Sequence, residues 1–185
     1  MSNFIIIYGP VAVGKLTTAK LLSEKLGYKM SHNHAINDVV SDLFDIKSKE
    51  YDEVVHNMRV FFFQQVLNHD INLITTHCYA HNFVNKVTGM TDPEYIKELV
   101  NIGKSNGKNV CVVHLKASNA ELMKRVVEES RKAHKKLTDE QIMKEISEQN
   151  DWENSAPIEG QMILDNTNLS VEESVNEIIK YFDLK

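Results

Sequence analysis

Four short, nearly unbroken apolar runs punctuate the chain: Phe4 to Tyr8 (FIIIY), Ile71 to Thr76 (INLITT), Val110 to Leu115 (VCVVHL) and Gln161 to Asp165 (QMILD). Strands take this form when both faces of a sheet are covered, so the runs predict a buried parallel sheet. A fifth, weaker strand is expected over Tyr28 to Ser31. Between them the pattern switches to helical period, beginning with Lys15 to Leu26, which Gly27 stops as a left-handed C-terminal residue. Three capping boxes mark later helix starts, Ser118 with Glu121, Thr138 with Gln141 and Ser170 with Glu173, and Asp92-Pro93 marks a fourth. Strand and helix therefore alternate, which predicts an α/β fold with right-handed crossovers, helices on both faces of the sheet and ligands at the carboxyl ends of the strands. No repeat, low-complexity tract or linker divides the chain, and one domain over residues 1–185 is expected.

Composition narrows the classes of partner. With 21 basic and 26 acidic residues the net charge is −5, which offers no general attraction to nucleic acid or to an anionic membrane. Any anion must therefore meet a local site. The two cysteines, Cys78 and Cys111, cannot build a disulfide framework, and Cys111 lies in an apolar run where it reads as a small buried hydrophobe. The first eight residues lack the basic start of a signal peptide, and no stretch approaches the roughly 18 apolar residues of a membrane span. A cytoplasmic protein, monomer or homodimer, is expected.

The local anion site stands directly after the first strand. Gly9-Pro10-Val11-Ala12-Val13-Gly14-Lys15 links a strand to a helix, the context a phosphate-binding loop requires. The glycines let the backbone wrap closely, the N–H groups of Val13, Gly14 and Lys15 converge, and the helix dipole adds partial positive charge. Lys15 would then hold the β- and γ-phosphates of ATP. The strict pattern places Ser or Thr immediately after the lysine as a magnesium ligand, but Leu16 stands there and the hydroxyl comes at Thr17.

In this Gly-Lys-x-Thr form the loop resembles that of adenylate kinases, and the chain as a whole is similar to the small P-loop kinases, which include the adenylate, shikimate and gluconate kinases. The resemblance rests on three places: the loop itself; Leu122-Met123-Lys124-Arg125 running on to Arg131; and Leu164-Asp165-Asn166-Thr167-Asn168-Leu169-Ser170 before the last helix. Ser31-His32-Asn33-His34 also resembles a group of kinase-like proteins often labelled shikimate kinase or ATPase. The resemblance implies a three-layer P-loop fold with a five-stranded parallel sheet in the order 2-3-1-4-5. It implies ATP and Mg²⁺ as cofactors, with the metal held largely through water and Thr17 as the residue nearest to a metal ligand. Nucleotide contacts would come from Gly9, Ala12, Val13, Gly14, Lys15, Leu16 and Thr17, with Arg125, Asn166 and Thr167 on the adenine side. Arg131 would neutralise the transferred phosphoryl group from a lid at about 131–137 that excludes water.

The reaction so implied is transfer of the γ-phosphoryl group of ATP to a hydroxyl of a small metabolite, which asks for positioning and charge neutralisation more than covalent chemistry. The acceptor side departs from the family's pattern. Arg59, Arg125 and Arg131 are all the arginines in the chain, and only Arg59 lies in the acceptor region, which is thin support for a shikimate, nucleoside or nucleotide kinase. The third strand ends Thr75-Thr76-His77-Cys78 with no acid, and the second is followed by His32, Asn33 and His34 where a carboxylate usually stands. Asp38 has two readings, a base that orients the acceptor hydroxyl or an early-helix acid favoured by the dipole, and His32 or His34 is a further candidate for the base. His32, His34, His77 and His81 would meet at the carboxyl edge, as acceptor recognition or, less simply, as a metal site. The aromatic run Phe61-Phe62-Phe63 and Trp152 read as core packing or as a pocket wall. A different class, a regulatory or ATPase module in which nucleotide occupancy is the output, shares Lys15 and stays open.

Overall fold

Strand β1 (Asn3–Gly9) runs between β3 (Leu73–Cys78) and β4 (Asn109–Lys116), with β2 (Lys29–His32) outside β3 and β5 (Met162–Asp165) outside β4. All four pairings are parallel, so the sheet has the order 2-3-1-4-5 that the family resemblance implies. The coordinates are a computed structural model that describes residues 1–32, 34–46, 48–127 and 139–185. Helices α1 (Lys15–Leu26), α2 (His34–Ser41), α3 (Lys49–Val66), α4 (Asp92–Ser105), α5 (Asn119–Val126), α6 (Glu140–Gln149) and α7 (Val171–Tyr181) connect and cover the strands.

Phe4 through Tyr8 are fully buried, and the strand's period of two sorts them into two cores. Ile5 and Ile7 face a layer that contains Leu22 of α1, Leu122 of α5, Met143 of α6 and Ile178 of α7. Phe4, Ile6 and Tyr8 face the other, with Phe63 of α3 and Tyr95, Ile96 and Leu99 of α4. This two-sided burial is the physical reason that β1 carries no polar alternate. Burying one such side chain contributes roughly 1.5–3 kcal/mol, so the sheet centre is the main stabilising element.

The element ends refine the reading of the sequence. Helix α1 ends at Gly27 with φ 68°, as expected. The third strand begins at Leu73 rather than Ile71, because Asn72 turns its side-chain oxygen to the Asn3 N–H (2.7 Å) and its carbonyl to the Lys29 N–H (3.0 Å). Likewise Gln161 lies outside β5, its amide nitrogen donating to the Ala156 carbonyl (2.5 Å) and its oxygen accepting from the Tyr8 hydroxyl (2.5 Å). Ser170 and Glu173 form a complete capping box. Ser118 caps α5, but Glu121 turns to Arg125 instead of back to the cap, so that box is half made. Helix α4 is capped by Thr91, which forms its own box with Glu94 and leaves Asp92 inside the first turn. Thr138 lies outside the described residues, and Asp139 caps α6 through the Ile142 N–H (3.0 Å).

Candidate active site

The loop between β1 and α1 stands at the carboxyl edge of the sheet. Gly9 has φ 151°, and a Cβ there would meet the Leu115 carbonyl oxygen of β4 at 2.3 Å, so only glycine lets β1 leave the sheet this close to its neighbour. Ala12 follows at φ 65° and Gly14 at φ 98°, a succession of left-handed residues that curls the backbone into a concavity. Helices α3 to α7 each begin with a Ser, Thr or Asp side chain accepting from a first-turn N–H. Helix α1 begins with Gly14, no side-chain cap and no acid in its first turn. Its N-terminal donors and dipole are thereby left to an anion. Lys15 Nζ donates to the Gly9 and Pro10 carbonyls (2.9 and 2.7 Å), which holds the ammonium over the start of the loop.

Arg125 and Asn166 lock the far side of the loop. Asn166 is buried (4% exposed), and its Nδ2 donates to the Val13 carbonyl (2.9 Å) while its Oδ1 accepts from Arg125 Nη1 (2.9 Å). Arg125 Nη2 donates to the Asn166 carbonyl (2.9 Å), Nη1 also approaches the Val13 carbonyl (3.3 Å), and Nε donates to Glu121 (2.9 Å). The guanidinium is why Glu121 titrates below the usual carboxylate range. Thr167 Oγ1 accepts from the Ser118 N–H (2.8 Å) and donates to Asp165 (2.6 Å), so its hydroxyl joins the end of β5 to the start of α5. Leu16 is half-buried and Thr17 is exposed. Arg131 and the lid at 131–137 lie outside the described residues.

Beside this loop opens a cavity of about 330 Å³. Val11 of the loop and Cys78 and Tyr79 at the end of β3 form its floor. Tyr51, Phe83, Tyr95 and Trp152 supply aromatic wall, and Arg59, Asn37 and Asn85 are among its polar groups. Arg59 donates from Nη2 to Asn37 Oδ1 (2.6 Å), and burial pushes the Tyr95 pKa to about 12 against the pull of that guanidinium. Of the aromatic run on α3, Phe63 is core and Phe61 is 63% exposed, and none of the three lines this cavity.

His77 and Asp92 also stand in that wall. His77 Nε2 is 3.1 Å from Asp92 Oδ1, and the Ala80 N–H donates to Asp92 Oδ2 (2.8 Å). Burial lowers the His77 pKa against the pull of Asp92, with Arg59 and Lys15 adding to the lowering. The sequence marked Asp92 only as a helix start and missed this pair. Its signal was the Thr91–Glu94 box: once Thr91 is the cap, the Asp92 carboxylate is released from capping and can reach into the fold.

The remaining histidines disperse. His32 ends β2 and its ring lies 6.2 Å from that of His34, while His81 Nδ1 bonds to the Tyr79 hydroxyl (2.9 Å). His34 and Asp38, on α2, are exposed and are not among the residues lining the cavity. Among the described residues no group of three or more His, Cys, Asp or Glu is placed to hold a metal ion. Thr17, on the first turn of α1, carries the first hydroxyl after Lys15 and is the residue of the loop that could touch a magnesium ion brought in on phosphates.

Among known proteins, the family described as AAA domain matches residues 5–153. A cytidylate kinase of Thermotoga maritima is 28% identical across 95% of this chain and 94% of its own. A shikimate kinase of Bacteroides thetaiotaomicron superposes with a TM-score of 0.63 at 18% identity, over 98% of this chain and 99% of that one. A tunicamycin resistance protein of Deinococcus radiodurans superposes with a TM-score of 0.64, also at 18% identity, over 100% and 98% of the two chains. One fold thus carries differently named proteins.

Proposed function

The chain belongs to the AAA domain family and has the fold of small P-loop kinases, and on that premise we propose that it is an ATP-dependent phosphotransferase acting on a hydroxyl of a small metabolite. The observation that carries this reading is the cavity of about 330 Å³ against the phosphate loop, with Val11 common to both. A protein whose output is hydrolysis alone has no use for a second pocket of metabolite size at the γ-phosphate end.

In this reading the loop N–H groups from Ala12 to Thr17 and the start of α1 bind the β- and γ-phosphates, and Lys15 turns from the loop carbonyls to the same oxygens. Mg²⁺ would neutralise phosphate charge when bound with ATP. Arg125 and Asn166 act on the adenine side by fixing the Val13 carbonyl and so the curvature of the loop. The cavity holds the acceptor in line with the γ-phosphorus, which is the largest contribution a protein makes to a loose phosphoryl-transfer transition state. Arg131, in the segment 131–137, is assigned to the transferred phosphoryl group.

The wall also bounds the acceptor's chemistry. Arg59 is its one arginine among the described lining residues, and aromatic rings cover much of the remainder. That suits an acceptor with at most one anionic group and an apolar or planar face, and it suits a phosphorylated acceptor poorly, since nucleotide and sugar-phosphate sites need several guanidinium donors. The test is ADP release from MgATP across hydroxylated metabolites, nucleosides and shikimate, with Lys15→Ala as the blank. A rise of about a hundredfold with one acceptor, within what positioning alone supplies, is the expected result. Lys15-dependent ATP binding with no acceptor-dependent turnover would favour a regulatory or ATPase module instead.

A further inference from the structure

Parallel pairing places Tyr8 beside His77 and Gly9 beside Cys78, so β3 delivers His77 to the mouth of the phosphate loop. The wall of the acceptor cavity contains two carboxylates among the described residues, Asp52 and Asp92. Asp52 is half-buried on the first turn of α3. Asp92 is 7% exposed, and both of its oxygens are engaged, Oδ1 by His77 Nε2 and Oδ2 by the Ala80 N–H. A carboxylate accepts hydrogen bonds, so the Nε2 side of the ring must carry the proton and Nδ1 keeps the lone pair. Among the described residues Nδ1 makes no hydrogen bond, and the ring lines both the acceptor cavity and a smaller one beneath β2.

We infer that His77 is the catalytic residue that receives the acceptor hydroxyl at Nδ1, and that Asp92 is the positioning residue that fixes its ring and tautomer. The inference rests on the phosphotransferase reading above. As the hydroxyl oxygen bonds to the γ-phosphorus, the bond from that phosphorus to the β-phosphate oxygen breaks and ADP leaves. The hydroxyl proton passes to Nδ1, the imidazolium is held by Asp92, and the proton returns to water when the product departs. Phosphoryl transfer through a loose transition state asks little of a base until late, so a neutral, oriented acceptor suffices. The charged and titratable groups around the ring act in both directions. Asp92 from α4 favours the imidazolium, Arg59 from α3 and Lys15 from α1 oppose it, and Tyr95 from α4 and His32 at the end of β2 complete the surroundings.

Water serves as the probe acceptor. ADP release from MgATP without added acceptor is followed from about pH 5 to 9, with Lys15→Ala as the blank and ATP affinity measured alongside. His77→Gln keeps a donor at the position of Nε2 and removes Nδ1. It is expected to lower kcat at least about tenfold, with ATP affinity and melting temperature near wild type, and to abolish the acid limb of the pH profile. Asp92→Asn should lower kcat and shift that limb, again with ATP affinity preserved. Imidazole nitrogen NMR supplies a readout independent of turnover, in which wild-type His77 is expected as the Nε2–H tautomer. Activity of His77→Gln within about twofold of wild type overturns the inference, and so does a ring protonated at Nδ1. Wild-type hydrolysis that ignores Lys15→Ala would instead contradict the phosphotransferase reading on which the inference rests.

Discussion

Asn166→Ala tests whether the phosphate loop owes its shape to the loop after β5. The side chain is 4% exposed and spans two partners, donating to the Val13 carbonyl at 2.9 Å and accepting from Arg125 Nη1 at 2.9 Å. Removing it leaves the Val13 carbonyl and Nη1 of Arg125, whose side chain is 18% exposed, with their mutual 3.3 Å approach in place of two 2.9 Å bonds. Each buried group so deprived costs about 1–3 kcal/mol, discounted here because water reaches part of Arg125, so about 2–3 kcal/mol is expected in all. For a chain of this size that is a fall of roughly 4–12 °C in Tm. Because the loop then has to be ordered by the nucleotide, ATP affinity should fall about tenfold, equivalent to about 1.4 kcal/mol. Thermal melts and ATP titrations of Asn166→Ala beside Asn168→Ala, an exposed neighbour outside this network, check both numbers. An Asn166→Ala protein that melts within about 1 °C of wild type and binds ATP equally well would refute the reasoning, since about 0.5 kcal/mol or less would then separate them.

Three further outcomes follow from particular residues. Gly9→Ala sets a Cβ 2.3 Å from the Leu115 carbonyl at a positive φ, and urea unfolding should show a loss of about 2–5 kcal/mol, or no folded protein. His114 is fully buried, stacks 4.5 Å from Tyr8, and leaves Nε2 without a partner among the described residues, and burial lowers its pKa to about 4. The unfolded chain takes up that proton near pH 6.5 and the folded one only near 4, so stability is complete above about pH 6.5 and falls by up to about 3 kcal/mol as pH drops to 4. His114→Phe should flatten this part of the acid slope in denaturant titrations, with His77, whose pKa is also lowered, accounting for some of the remainder. Ser170→Ala removes a complete capping box from α7 and should cost about 1 kcal/mol, read as roughly 2–4 °C in Tm.

How much could be read from the chain depended on how local the determining physics is. The phosphate loop is legible because the strand, the glycines, the lysine and the helix occupy a contiguous stretch, and the φ values at Gly9 and Gly14 are those such a loop demands. The strands of a two-faced parallel sheet announce themselves as apolar runs, although Asn72 and Gln161 show that side-chain hydrogen bonds, not hydrophobicity, decide where a strand begins. Arg125 and Asn166 each stood out in their own segment, 41 residues apart, but their mutual bond and its grip on Val13 needed the fold. The His77–Asp92 pair was invisible because the Asp92-Pro93 dipeptide looks like a helix start, and only the competing cap at Thr91 shows the carboxylate to be available. On the acceptor side the histidines shared an edge in the sequence reading, yet a shared edge is not a shared site, and α2 leaves His34 and Asp38 facing outward.

In the proposed reaction the γ-phosphoryl group passes to an organic acceptor and not to water. γ-Labelled MgATP incubated with the enzyme and a pool of small hydroxylated metabolites, then separated into inorganic and organic phosphate, tests it directly. Label is expected in an organic phosphate ester, formed by the wild type and lost with Lys15→Ala. Label that appears only as inorganic phosphate, at a rate indifferent to the metabolite pool, would contradict it.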